Sequence, residues 1–227
     1  MSRGRGLRFA GVVAVAAALV AAGGSLPAQA DPAETFLSVP TGRYPIDVDA
    51  SPDDSYTFVL DRGDGASADL RVFDASDFSL VNTITFGTSD DFNPTSVEVT
   101  PDGAQVWVSF YNPGQIRVYP TAELIAGGSP APMIFTGGGG FVDLMAGPAG
   151  VYMYAATLHN PQYQFQIADP LAAPRTLDVT GGSRGVAVRT DGTQVYFTVH
   201  ATAPNGGVQI IEVAGDGSWA LASTSPA

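Results

Sequence analysis

Ser96-Val97-Glu98-Val99-Thr100-Pro101-Asp102-Gly103 reads as a short apolar strand that runs into a tight turn. A second strand led by Trp107-Val108-Ser109 follows. The same phrase occurs at Ile46-Asp47-Val48-Asp49-Ala50-Ser51-Pro52-Asp53 and at Gly185-Val186-Ala187-Val188-Arg189-Thr190-Asp191-Gly192. The turn aspartates fall 49 residues apart between Asp53 and Asp102, and 89 apart between Asp102 and Asp191. The longer gap is close to two periods of roughly 45 residues, so a degenerate copy belongs between them. Phe141-Val142-Asp143-Leu144, with a turn at Gly147-Pro148-Ala149-Gly150, fills that place.

Each copy continues in the same way. Second strands are expected at residues 56–60, 105–110, 151–157 and 194–200. Third strands are expected at 70–73, 115–119, 163–167 and 208–213, and fourth strands at 80–86, 131–135, 175–179 and 219–223. Four short strands per period is the arithmetic of a β-propeller blade, so the fold class is all-β, a propeller of about four four-stranded blades. The 17 Pro and 27 Gly sit mainly between these runs, where turns need them. Helical periodicity is confined to a single turn near residues 123–126.

Pro101-Asp102-Gly103 with Trp107-Val108-Ser109, and Thr190-Asp191-Gly192 with Tyr196-Phe197-Thr198, resemble the YVTN-type β-propeller repeat family. Pro52-Asp53-Asp54 with Phe58-Val59-Leu60 is a third copy; the copy at 141–180 lacks the Asp. The resemblance implies the fold over nearly all of residues 31–227. On function it implies a range that includes lactonase-like enzymes, cell-surface proteins and binding modules. The turn Asp is expected to cap its own turn's amides rather than to catalyse.

An additional strand is expected at residues 35–39, one more than four blades need. If the ring closes, that strand is expected to pair with residues 208–213 and push residues 219–223 outward. Typical propeller size favours an open or partial ring instead, with further blades missing from this chain or with two chains combining. Its end blades would then expose apolar faces, with Ile46, Val48, Val186 and Val188 among them.

Arg3, Arg5 and Arg8 precede a chargeless apolar run at residues 9–22, which closes on Ala28-Gln29-Ala30. This is the pattern of a secretory signal peptide, and the run is too short to span a bilayer. The expected organisation is a signal peptide at 1–30 and a propeller domain at 31–227. The protein would be secreted, periplasmic or extracellular, with no membrane span after signal removal. The chain has no Cys, so it can form neither a disulfide nor a lipid anchor through an N-terminal Cys. After residue 30 the chain carries 7 Arg, no Lys and all 22 acidic residues, a net charge of −15. So acidic a chain repels phosphate backbones, which excludes nucleic acid as a partner. The expected partner is a protein or a small polar ligand.

In a propeller, loops at one end of the blades are held by a rigid scaffold and carry the ligand. Aligning the copies places Arg62, Tyr111, His159 and His200 at one position after the second strand. The loops between blades add Arg43, Asp90, Asp91 and Arg184, and the eight together form a candidate ligand-binding rim suited to an anionic or polar ligand. Asp49, Glu98 and Asp143 form a second candidate set on the innermost strands, where oxygen ligands could hold Ca²⁺. There is no nucleophile elbow, zinc-spaced His pair or phosphate-binding glycine loop; Gly137 to Gly140 reads as a blade linker. The function expected is an exported binding or interaction module of the cell envelope or extracellular space. The alternative is a lactonase-like hydrolase using the rim histidines and carboxylates.

Overall fold

A computed structural model describes residues 38–63, 67–88, 91–179, 181–200 and 206–222. Residues 1–30, the segment expected to be a signal peptide, and residues 35–37 lie outside the described residues, as does Asp90. The unit that begins at Val39 contains four antiparallel sheets, each of four strands that are consecutive in sequence. The first blade comprises β1 (Pro45–Ala50), β2 (Tyr56–Asp61), β3 (Ser67–Asp74) and β4 (Leu80–Thr88). The second comprises β5 (Asn93–Val99), β6 (Gln105–Asn112), β7 (Gln115–Pro120) and β8 (Met133–Thr136), with a short helix α1 (Thr121–Ile125) before its last strand. The third comprises β9 (Phe141–Ala146), β10 (Tyr152–Thr157), β11 (Gln162–Gln166) and β12 (Arg175–Leu177). The fourth comprises β13 (Val186–Val188), β14 (Gln194–Val199), β15 (Gly207–Val213) and β16 (Trp219–Leu221). The sheet order is the one the repeat period predicts.

The hairpin turn joining first to second strand explains the repeated phrase. Asp53 Oδ1 accepts from Ser51 Oγ and the Ser55 amide. Asp102 Oδ1 accepts from Thr100 Oγ1 and the Ala104 amide, and Asp191 Oδ1 from the Thr193 amide and hydroxyl. These bonds hold all three carboxyls below their ordinary value. The turn aspartates are structural caps.

The first strands face one another, β1 against β5, β5 against β9 and β9 against β13. Between neighbouring blades lie three apolar cores. Phe58, Leu60 and Val72 meet Val97, Val99, Val106 and Val108 in the first. Trp107 and Val118 meet Phe141, Leu144 and Phe165 in the second, and Tyr154 and Ala156 meet Val186, Val195 and Phe197 in the third. Among the described residues no fourth core joins the last blade to the first, so the described blades form an open arc.

Beside the first core stands half-buried Arg117, whose guanidinium carbon lies 4.6 Å from the Phe92 ring centre, 4.9 Å from Phe110 and 5.7 Å from Phe86. Three ring faces replace the water that the cation gives up. Arg117→Ala is expected to lower stability by about 2 kcal/mol, the value of a desolvated cation–π contact with its packing. Denaturant unfolding of the two proteins checks this; Arg117→Lys is expected to recover only part of the loss, because the ammonium is more strongly hydrated.

Two expectations about the ends need correction. β16 takes the outer edge of β15, with Val213 opposite Trp219, so the place offered to residues 35–39 is occupied; Ser38 and Val39 are not in a strand. The exposed apolar residues also differ. Val48 is 60% exposed, but Ile46 is half-buried against the first core because a bulge between Pro45 and Asp47 shifts its register. Val186 and Val188 pair with Phe197 and Val195, and so face the third blade. The last blade instead exposes Val208 and Ile210 on β15, at 60% and 38%.

Candidate functional site

The hairpin hydrogen bonds set a common register. The amides of Ser51, Thr100, Gly147 and Arg189 each donate to a carbonyl five residues on, in Tyr56, Gln105, Tyr152 and Gln194. Counting eleven residues onward from these four gives Arg62, Tyr111, Leu158 and His200. His159 is therefore one residue out of register, and Leu158 holds the rim position in the third blade. The Arg62, Leu158 and His200 amides donate to the carbonyls of Tyr44, Gly140 and Gly182, which lead into the first strands. This end of each blade is the end with the predicted rim.

A cavity of about 530 Å³ opens there, walled by Arg62, Tyr111, Leu158 and Arg184, with Ile46, Asn93, Thr95 and Val142 at the strand ends. Asp61 fixes Arg62 from both sides. Its Oδ1 accepts the Tyr44 amide at 3.0 Å and the Gly63 amide at 2.7 Å, and the Arg62 guanidinium lies 5.9 Å from the Tyr44 ring centre. The Arg184 amide donates to Thr198 Oγ1 at 3.1 Å. The Tyr111 ring lies directly against Gly140, leaving no room for a β-carbon there. Both arginines and Tyr111 are exposed, so two guanidinium groups and a phenol ring are open to a ligand. Among the described residues that line it there is no carboxylate.

The other described rim candidates, Arg43, Asp91, His159 and His200, do not line this cavity. Arg43 and Asp91 are exposed in the loops that enter β1 and β5; Asp91 Oδ2 accepts from Thr88 Oγ1. His159 and His200 are exposed at the same end, near the loop 181–185, where His200 is bridged to Gly182. Neither histidine lines the cavity. Leu158, Thr95 and Val142 were not among the rim candidates; counting from the turn to the strand end would have found Leu158.

The carboxylates of the innermost strands form staples between blades. Asp47 Oδ2 accepts the Val97 amide at 2.8 Å and Asp49 Oδ2 the Val99 amide at 2.7 Å. Glu98 Oε1 accepts the Ala146 amide and Asp143 Oδ2 the Val186 amide, each at 2.8 Å. A first strand has one edge without a partner strand, and its alternate amides need acceptors. A carboxylate reaching over from the preceding blade supplies one, as a strong charge-assisted bond. The staples occupy two levels. Asp49 and Glu98 stand two residues before the turn position, where the third blade has Met145 and the fourth Ala187. Asp47 and Asp143 stand four residues before it, where the second blade has Ser96 and the fourth Gly185. Asp143 thus belongs to Asp47's level, not to that of Asp49 and Glu98. Burial raises the carboxyls of Asp49 and Asp143 above their ordinary value and pushes Glu98 up to about 7. Among the described residues no three ligating side chains converge as a metal site.

No family model and no curated protein matches the chain. Solved structures do. Hydrazine synthase from Kuenenia stuttgartiensis is similar at a TM-score of 0.64 and 17% identity, over 80% of this chain and 49% of that one. A functionally unknown protein from Desulfotomaculum acetoxidans is similar at 0.57 and 17%, over 79% of this chain and 55% of that one. A structure described as the Dos1 propeller is similar at 0.55 and 11%, over 67% of this chain and 38% of that one. The fold is a β-propeller. This propeller chain spans about half or less of the length of the structures it matches, and at these identities the likeness shows the fold alone.

Proposed function

We propose that this propeller is an exported, non-catalytic binding module that takes an anionic ligand with a flat apolar body in the cavity at the rim. The observation that carries the reading is the pairing of Arg62 and Arg184 with the Tyr111 ring around one cavity, with no carboxylate among its described lining residues. Guanidinium forks match the two oxygens of a carboxylate or the oxygens of a phosphate, and the ring adds an apolar face. In a chain of net charge −15 after residue 30, two arginines on one cavity wall are a local exception. The segment 1–30 supports export, and the YVTN-like turns support a place in the cell envelope or outside it. A Ca²⁺ ion has no role in this reading. The hydrolase alternative relies on His159 or His200, and neither side chain reaches the cavity lining.

Calorimetric titration with 2-naphthoate and phenyl phosphate tests the reading. Binding is expected, with Arg62→Ala and Arg184→Ala each weakening it by about tenfold, or 1.4 kcal/mol. The neutral analogue 2-naphthalenemethanol is expected to bind far less. Turnover of homoserine or sugar lactones, lost on His159→Ala or His200→Ala, would replace this reading with the hydrolase.

A further inference from the structure

Each blade in the arc presents a large aromatic side chain to the next blade, seven residues after the turn position. These are Phe58, Trp107 and Tyr154, and all three are buried, at 0%, 1% and 2% exposure. The fourth blade carries Tyr196 at that position, only half-buried, with Ile210 directly opposite it in register. Tyr196 is braced as Trp107 is: its hydroxyl donates to Gln194 at 2.8 Å, as the Trp107 indole donates to Gln105 at 2.9 Å. Ala187 and Thr198 extend the same face of the fourth blade and are exposed.

At the other end, the first blade presents the matching socket. The second blade receives the first through Val97, Val99, Val106 and Val108. Their counterparts in the first blade are Val48, Ala50, Thr57 and Val59, on the face turned away from the second blade; Val48, at 60%, and Ala50 are exposed at its inner edge, Thr57 is half-buried and Val59 is buried. The amides needing acceptors on this edge are already served: Asp47 Oδ1 takes the Val48 amide and Asp49 Oδ1 the Ala50 amide. The fourth blade, with Gly185 and Ala187 at the two staple levels, offers no carboxylate and the first blade requires none. The arc already contains this arrangement where Ser96 offers no carboxylate: the Leu144 amide turns to its own Asp143 Oδ1, and Leu144 is buried in the joint.

We propose that a second copy of this chain seats its fourth blade on the first blade of this one, and the reverse, so that two arcs of four blades close one ring of eight. One arc has one knob and one socket, and a two-fold pair satisfies both at once; such head-to-tail contacts form a closed ring when the rotation matches. Eight blades lie within the propeller range.

Light scattering on the purified chain at micromolar concentration tests this. The expected mass is that of two copies. Val48→Asp and Ile210→Asp, both at exposed positions, are each expected to give the mass of one copy with an unchanged circular dichroism spectrum. An equimolar mixture of these two variants is expected to recover association, because one of its two joints, Ile210 of the first variant on Val48 of the second, is unaltered. A single-copy mass for the unaltered chain would overturn the proposal, as would a mass above two copies. A dimer that survives both substitutions, or a mixture that stays monomeric while each variant is folded, would overturn it too.

Discussion

Asp143→Ala is expected to loosen the fourth blade from the third and to lower stability by about 2 kcal/mol, the scale of a hydrogen bond to a charged group. One carboxylate serves three groups: the Val186 amide at 2.8 Å, the Leu144 amide at 3.0 Å and Ser96 Oγ at 3.4 Å. Between the first two blades Asp47 and Asp49 share the task, so either single loss there leaves one staple in place. Between the third and fourth, Met145 holds the other level and contributes no carboxylate. The midpoint of thermal unfolding is expected to fall by about 4–8 °C, given 2–4 °C per kcal/mol for a domain of this size. Amide exchange at Val186 is expected to quicken by more than about tenfold, while that at Val99 stays as it was. Asp191→Ala, at an exposed turn, serves as the control. Equal acceleration at Val99 and Val186 would show that Asp143 acts on the whole fold rather than on one joint.

Stability is also expected to rise as pH falls from 8 to about 5.5, opposite to the usual behaviour of paired carboxylates. Burial pushes the Glu98 carboxyl from 4.5 up to about 7; the Ala146 amide opposes this, and the charges of Asp49, Asp143 and Asp47 add to it. The folded chain therefore holds this proton more tightly than the unfolded chain. The stability gained by protonation is fully present below about pH 4.5 and is lost as pH rises through about 7. The separation is worth at most about 3 kcal/mol, and solvent at this half-buried side chain reduces it to about 1–2 kcal/mol. Asp49 and Asp143, also raised, act in the same direction at lower pH. The turn aspartates Asp53, Asp102 and Asp191 are held low and act oppositely, their contribution being lost only as pH falls below the ordinary carboxylate range. Glu98→Gln is expected to flatten the profile between pH 8 and 5.5. A profile unchanged by that substitution would place the titration elsewhere.

Much of this fold was legible because its repeat is marked by turns. An aspartate that caps its own turn must sit at a fixed distance from the strands on either side, so Asp53, Asp102 and Asp191 order three blades directly. The third copy has Gly147-Pro148-Ala149-Gly150 instead, with no side chain to mark the register. Both misplaced residues lie in that blade. Even spacing of the copies points to His159, one residue past the rim position that Leu158 holds. The same spacing sets Asp143 level with Glu98, whereas it lies two residues nearer the rim. The faces of the end blades were misjudged for a related reason. Strand side chains alternate, and only the pairing of Val186 with Phe197 and Val188 with Val195 decides that these valines point inward. The staples were visible as carboxylates on inner strands, but not as staples, because their partners are backbone amides some 50 residues away in sequence. The aromatic cage around Arg117 joins residues from three strands and a loop, and no local pattern announces it.

The central claim is that the cavity between Arg62, Tyr111 and Arg184 binds an anion with a flat apolar body. Amide shift mapping by NMR during titration with 2-naphthoate tests it most directly. Saturable shifts are predicted at Arg62, Tyr111, Leu158 and Arg184, with the turn residues Asp53, Asp102 and Asp191 at the opposite end unmoved. The shifts should vanish in the Arg62→Ala, Arg184→Ala double variant. Saturable shifts that centre on the turn end, or that persist in the double variant, would contradict the account.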